Sequence, residues 1–160
     1  MLSISLLCVG KLKERYWREA CAEYVKRLGG FCKINVVEVD EQRLPERPSV
    51  AEIGAALKAE GARLPAKIPA GTAAVALCVE GQPLSSAALA EKITAMTTGG
   101  VSHLAMVIGS SHGLDPAVKQ AAALRLSFSP MTFPHQLARV MALEQLYRAM
   151  QIHAGGRYHK

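Results

Sequence analysis

Apolar residues in this 160-residue chain fall into two alternating patterns. Short unbroken apolar runs are separated by longer stretches in which apolar positions recur every three or four residues. The first run, Ser3–Val9 (SISLLCV), predicts a strand. From Lys13 to Gly29 (KERYWREACAEYVKRLG) the spacing is helical: Trp17, Ala20, Cys21, Tyr24 and Leu28 share a face, and Gly29 is the stop. Lys33–Val39 (KINVVEV) is rich in β-branched residues and predicts a second strand. Arg43–Pro48 reads as a loop, and Val50–Glu60 as a helix closed by Gly61. Residues 61–71 form a Pro- and Ala-rich loop. Thr72–Val79 (TAAVALCV) is a third strand, apolar almost throughout. Gly81–Ser85 turns the chain, and Ser85 or Ser86 caps a helix running to about Met96. His103–Gly109 (HLAMVIG) is a fourth strand. Asp115–Pro116 opens a helix, with Asp as cap and Pro at its first position. Leu124–Ser129 is a short fifth strand, and Pro134 to about Ala154 is one helix roughly 30 Å long.

Five strands, each followed by a helix, imply an α/β fold with a mostly parallel sheet covered by helices on both faces. The length fits a single domain, residues 1–160, and neither an internal repeat nor a low-complexity tract interrupts it.

Charge narrows the partners. Nineteen Lys and Arg against 13 Asp and Glu give a net charge of +6 and a pI of about 9.3. That balance favours RNA or an anionic membrane surface, with a solvated basic surface as the alternative. Cys8, Cys21, Cys32 and Cys78 are scattered without a CxxC pair, so they read as reduced thiols, not a disulfide framework or a zinc site. The apolar start has no basic region before it and meets charge at Lys11, which makes it a strand and not a signal peptide. No run approaches the length of a membrane span, and the cytoplasm is the expected compartment.

In open α/β sheets ligands bind at the carboxyl ends of strands. Three such ends carry chemistry here: LCVEGQ after the third strand, IGSSHGL after the fourth, and SFSPMTFPH after the fifth. The glycines of IGSSHGL let the backbone approach a ligand, or serve turn geometry alone. In SFSPMTFPH, Pro130 and Pro134 bracket Met131, Thr132 and Phe133 and stiffen the loop. A stiff loop suits a wall against an adenine ring, or only a strand-to-helix connection. The single Gly10 after the first strand is no dinucleotide fingerprint, and no GxxxxGK[ST] occurs, so NAD and ATP are excluded as the leading ligands. The last helix has a broad apolar face of Leu137, Val140, Met141, Leu143, Tyr147 and Met150, wider than one sheet face needs, which points to a partner subunit. Glu144 and Arg148 stand four apart and can pair, or Arg148 and Arg139 can hold phosphates. The chain closes on Arg157, Tyr158, His159 and Lys160 after Gly155–Gly156, a set of side chains that can all bind a nucleotide.

These segments carry a resemblance. ALCVEG, IGSSHGL, LSFSPMTFPHQLARVMALEQLYRA, the terminal YHK and the early VGKLKERYWREACAEYVKRLG are similar to the SPOUT-class methyltransferases that act on N3 of pseudouridine 1915 in 23S ribosomal RNA. The similarity covers nearly the whole chain. It implies a C-terminal deep trefoil knot, S-adenosylmethionine as cofactor bound in that knot, and a homodimer packed partly through the last helix. Leu77, Gly109 and the run Phe128, Ser129, Pro130, Met131, Thr132 and Phe133 are the implied cofactor contacts. The family usually reads Ile-Gly-Gly where this chain has Ile108-Gly109-Ser110. No metal is implied. The substrate would be 23S ribosomal RNA within the large subunit or the 70S ribosome, since so short a domain carries no added RNA-binding module. Lys11, Lys13, Arg15 and Arg18 would supply salt-dependent affinity.

The imide N3 holds a proton at neutral pH, so methylation requires that proton to leave. Tyr158, His159 and Lys160, with Arg148, are the expected catalytic groups, the tail closing over the target base at the other subunit's site. The rival expectations are a SPOUT enzyme acting on another RNA and a non-catalytic RNA-binding protein on the same scaffold.

Overall fold

The computed structural model describes residues 1–160. The apolar runs form five strands: β1 (Ser3–Val9), β2 (Lys33–Val39), β3 (Ala73–Pro83), β4 (His103–Ile108) and β5 (Leu124–Ser127). The helical stretches form α1 (Arg15–Leu28), α2 (Val50–Ala62), α3 (Ser86–Thr98), α4 (Pro116–Ala121) and α5 (His135–His153). All strand pairs are parallel, in the order β2-β1-β4-β3-β5. Every strand therefore delivers its carboxyl end to the same edge of the sheet.

Side chains alternate across a strand, so one sequence run feeds two cores. Ile4, Leu6 and Cys8 of β1 point into the larger core with Leu104 and Met106 of β4. α1, α3 and α5 cover that face through Cys21, Leu28, Leu89, Ile93, Leu143 and Leu146. Leu7 and Val9 point the other way with Ala105 and Val107. Leu64 after α2 and Leu114 before α4 close that smaller core. Central β1 and β4 are apolar on both faces because both faces are covered.

Local chemistry sets the helix starts. Ser49 caps α2 in a reciprocal capping box with Glu52. Ser85, the first of the two serines, caps α3 by accepting from Ala88 N–H at 3.0 Å. Asp115 caps α4 ahead of Pro116, as expected.

Three boundaries differ from the sequence reading. Gly61 does not stop α2. The helix runs on to Ala62, and Gly61 is buried inside it, where a Cβ would lie 3.0 Å from Asp115. Its job is close approach to the turn before α4, not termination. Gly81 and Pro83 do not turn the chain either: β3 continues through them because Gln82 and Pro83 pair with Leu126 and Ser127 of β5. Leu126 thus meets β3 twice, at Leu77 and again at Gln82, across an irregularity that spans Cys78–Gly81. Conversely, β5 ends at Ser127, because Phe128 and Ser129 leave the sheet to build a wall.

Candidate active site

The irregular stretch of β3 and the ends of β4 and β5 converge on one cavity of about 840 Å³. Its walls come from 77–80, 108–114 and 128–138, segments far apart in the chain. Of the expected cofactor contacts, Leu77, Gly109, Phe128, Ser129, Met131, Thr132 and Phe133 all line it. Pro130 does not; it is exposed and shapes the loop from outside.

The wall after β4 is a tight turn. A Cβ on Gly109 would fall 2.1 Å from the Gly113 carbonyl oxygen, so only glycine fits there. Gly113, at φ +92°, donates its N–H to the Ser110 carbonyl at 2.9 Å. The wall after β5 is fixed by its own serines: Ser127 Oγ donates to the Ser129 carbonyl at 3.1 Å, and Ser129 Oγ accepts from Met131 N–H at 3.0 Å. Such local bonds hold the loop without help from a ladder. Met131, Phe133 and Val79 leave an apolar rim exposed at the mouth.

Four further residues, not assigned a role from the sequence, also line the cavity. Glu80 and Lys119 pair at 2.5 Å, joining the irregular stretch of β3 to α4, and that hydrogen bond holds the Glu80 carboxyl below its usual range. His135 lines the cavity at the start of α5, and burial pushes its imidazole down, favouring the neutral form. Cys78 is a half-buried thiol in the same wall, raised by burial. Cys78, Glu80 and His135 stand in the LCVEGQ and SFSPMTFPH segments, whereas Lys119 has no such signal and is brought there by the fold alone.

Arg139 corrects an expectation. It is 2% exposed, pairs with Glu38 at 2.7 Å and donates to the Gly10 carbonyl at 3.3 Å. It ties α5 to the ends of β1 and β2 and is not available to an RNA phosphate.

The tail lies elsewhere. Gly155, at φ +69°, turns the chain after α5, and the tail folds back on that helix. The Tyr158 ring packs edge-on against Tyr147 at 4.8 Å, and its hydroxyl donates to Glu144 Oε1 at 3.1 Å. Arg148 holds the same carboxylate at 2.6 Å, lies over the Tyr158 ring at 4.6 Å and approaches His159 Nδ1 at 3.4 Å. Burial, with the bond to Glu144, raises the Tyr158 phenol and favours its protonated form. Lys160 is exposed. The expected catalytic groups Tyr158, His159 and Arg148 are therefore gathered together, but none lines the large cavity of their own chain. Between them lies a smaller cavity of about 370 Å³, bounded by Leu84, Ser85, Met141 and Glu144, and Phe128 is its common wall with the large one.

No three His, Cys, Asp or Glu side chains are grouped to hold a metal ion, and no helix is long and apolar enough to cross a membrane. The large cavity offers apolar and aromatic surfaces of the kind that take a planar ring, and a glycine turn open to close backbone contact.

A family model described as "Predicted SPOUT methyltransferase" matches residues 2–159. The chain is 48% identical to the "Ribosomal RNA large subunit methyltransferase H" of Bifidobacterium adolescentis, over 99% of this chain and all of that protein. It is equally similar, over the same shares, to the protein of that name from Bifidobacterium animalis subsp. lactis. With a parallel sheet and a three-segment cavity at its carboxyl edge, the chain belongs to the SPOUT methyltransferases, enzymes whose methyl donor is S-adenosylmethionine.

Proposed function

We propose that this protein methylates N3 of pseudouridine 1915 in 23S ribosomal RNA, acting in the cytoplasm on the assembled large subunit or 70S ribosome. The observation that carries the reading is the single cavity built from three distant strand ends, in a chain 48% identical along its whole length to proteins named for methylating large-subunit ribosomal RNA.

S-adenosylmethionine supplies an electrophilic methyl group on its sulfonium. Leu77, Gly109 and the wall of Phe128, Ser129, Met131, Thr132 and Phe133 hold it, with Pro130 keeping that wall stiff. This placement goes with a deep C-terminal knot. The double pairing of Leu126 with β3, and the Gly81 backbone pressed so close to Arg125 and Leu126 that a Cβ would sit within 2.9 Å, support such threading.

The catalytic groups work from a second copy. Tyr158, His159, Lys160 and Arg148 lie outside their own chain's large cavity, so a homodimer that brings one tail to the other's cavity completes the site. Half-buried Val140 and Met141 on α5 are available for that interface. In this arrangement Tyr158 contacts the base, His159 assists removal of the N3 proton, and Lys160 and Arg148 favour the anion left behind. Alignment of nitrogen with the methyl carbon is the task of the cavity walls. Lys11, Lys13 and Arg18 are exposed just beyond the end of β1, on the same edge of the sheet, where they can meet phosphate.

Deleting residues 157–160 tests the division of labour. The shortened chain is expected to bind S-adenosylmethionine with nearly unchanged affinity by calorimetry and to transfer no methyl group to ribosomes. Full turnover by the shortened chain would falsify the role given to the tail.

A further inference from the structure

We infer that the Ser110 hydroxyl and the Glu60 carboxylate form a brace that sets the cofactor-facing turn, making both positioning residues for the methyl donor. The inference rests on reading the large cavity as the S-adenosylmethionine site.

Glu60 sits on α2, a helix that contributes nothing to the cavity wall. It is nevertheless 4% exposed. A carboxylate so deep requires donors, and two meet it. Gln42 N–H donates to Oε2 at 2.9 Å, and Ser110 Oγ, itself 8% exposed, donates to Oε1 at 3.2 Å. The far side of the brace is anchored in turn. Arg63 donates to Gln42 Oε1 at 2.6 Å and to the Asp40 carbonyl at 2.7 Å, fixing the loop that carries Gln42. Gly61 lets α2 come this close, because any Cβ there would press on Asp115 at 3.0 Å.

The near side is the turn itself. Ser110 follows Gly109, which lines the cavity, and its carbonyl accepts from Gly113 N–H across the turn. The two sides of the turn lie so close that a Cβ on Gly109 would meet the Gly113 carbonyl oxygen at 2.1 Å. A displacement of Ser110 is therefore passed to the backbone that faces the cofactor. The hydroxyl has one proton to give, and giving it to Glu60 fixes where Ser110 lies. The brace links the cavity to a helix on the opposite side of the sheet from α5.

Ser110→Ala removes the hydroxyl while keeping the Cβ. It is expected to weaken S-adenosylmethionine binding about three- to tenfold, the loss carried by KM for the cofactor more than by kcat. Glu60→Gln keeps an acceptor and offers an amide to which the hydroxyl can reorient, so its own effect is smaller. In the Glu60→Gln background, Ser110→Ala is expected to have a different effect from that in the wild type, since the two residues share one bond. Calorimetry with S-adenosylmethionine on all four proteins, with melting curves beside it, decides the matter. Unchanged cofactor affinity in Ser110→Ala, or effects that simply multiply, would overturn the brace. Gly109→Ala is the control for the site. If that folded variant binds S-adenosylmethionine as tightly as wild type, the cavity is misassigned and the brace falls with it.

Discussion

Burying the Arg139 guanidinium takes a full charge out of water, and Glu38 and the Gly10 carbonyl meet it there, leaving Nε without a partner. Glu38→Ala is expected to destabilise the fold by about 2–3 kcal/mol in urea unfolding, below the cost of breaking a fully enclosed pair because Glu38 stays 36% exposed. Adding Arg139→Met to that variant is expected to restore most of the loss, since the stranded charge goes with it. The thiols make a separate prediction. Burial raises Cys8 from 9.0 to about 12 and Cys32 to about 11. The unfolded chain gives up these protons first, so both contributions are intact below about pH 9 and fade as pH climbs toward the folded values. Melting temperature followed from neutral pH upward should fall more steeply above that point for wild type than for Cys8→Val. Identical slopes would deny the thiol any part. At this scale the sequence misled about Arg139, since a cation on a helix gives no sign of which way it faces until Glu38 and Gly10 are placed beside it.

Elements were legible where the pattern is local. β1, β2 and α5 fall within a residue of their expected bounds because unbroken or helically spaced apolar positions define them without reference to the rest of the chain. The end of β3 was not legible. Gly81 and Pro83 carry turn chemistry, and only pairing with β5, over forty residues on, keeps them extended. Gly81→Ala tests that pairing: the added methyl would meet the backbone of Leu126 at 2.8 Å, so a large drop in stability and loss of cofactor binding are expected. A folded, cofactor-binding Gly81→Ala protein would contradict the close pairing of β3 and β5. α5 packs into the larger core, where its Leu146 is 0% exposed. Leu146→Ala should cost about 2–5 kcal/mol by chemical unfolding, the usual range for a large-to-small change in a packed core.

Across the molecule, the two edges of the sheet have different work. Near the amino edge Ser5 meets His103 at 2.9 Å, while the carboxyl edge assembles the large cavity. Leu77, Gly109 and the 128–133 wall were legible because they stand in contiguous motifs. Glu80 and His135 stand in the same motifs, but Lys119 lies outside them, and only the fold brings it to Glu80 at that cavity. Cys78 offers a probe of occupancy. Its half-buried thiol lines the cavity, whereas Cys8, Cys21 and Cys32 are buried in the core. A thiol reagent should modify Cys78 first, and saturating S-adenosylmethionine should slow that reaction at least severalfold. An unaltered rate would place the methyl donor somewhere else. The methylated nucleotide itself gives the most direct test of the activity. Ribosomes lacking the modification, incubated with the purified protein and S-adenosylmethionine, can be digested and the 23S fragment around position 1915 weighed and sequenced by mass. One added methyl group on N3 of that pseudouridine is the predicted result; an unmodified pseudouridine there, or a methyl group on any other nucleotide, would contradict it.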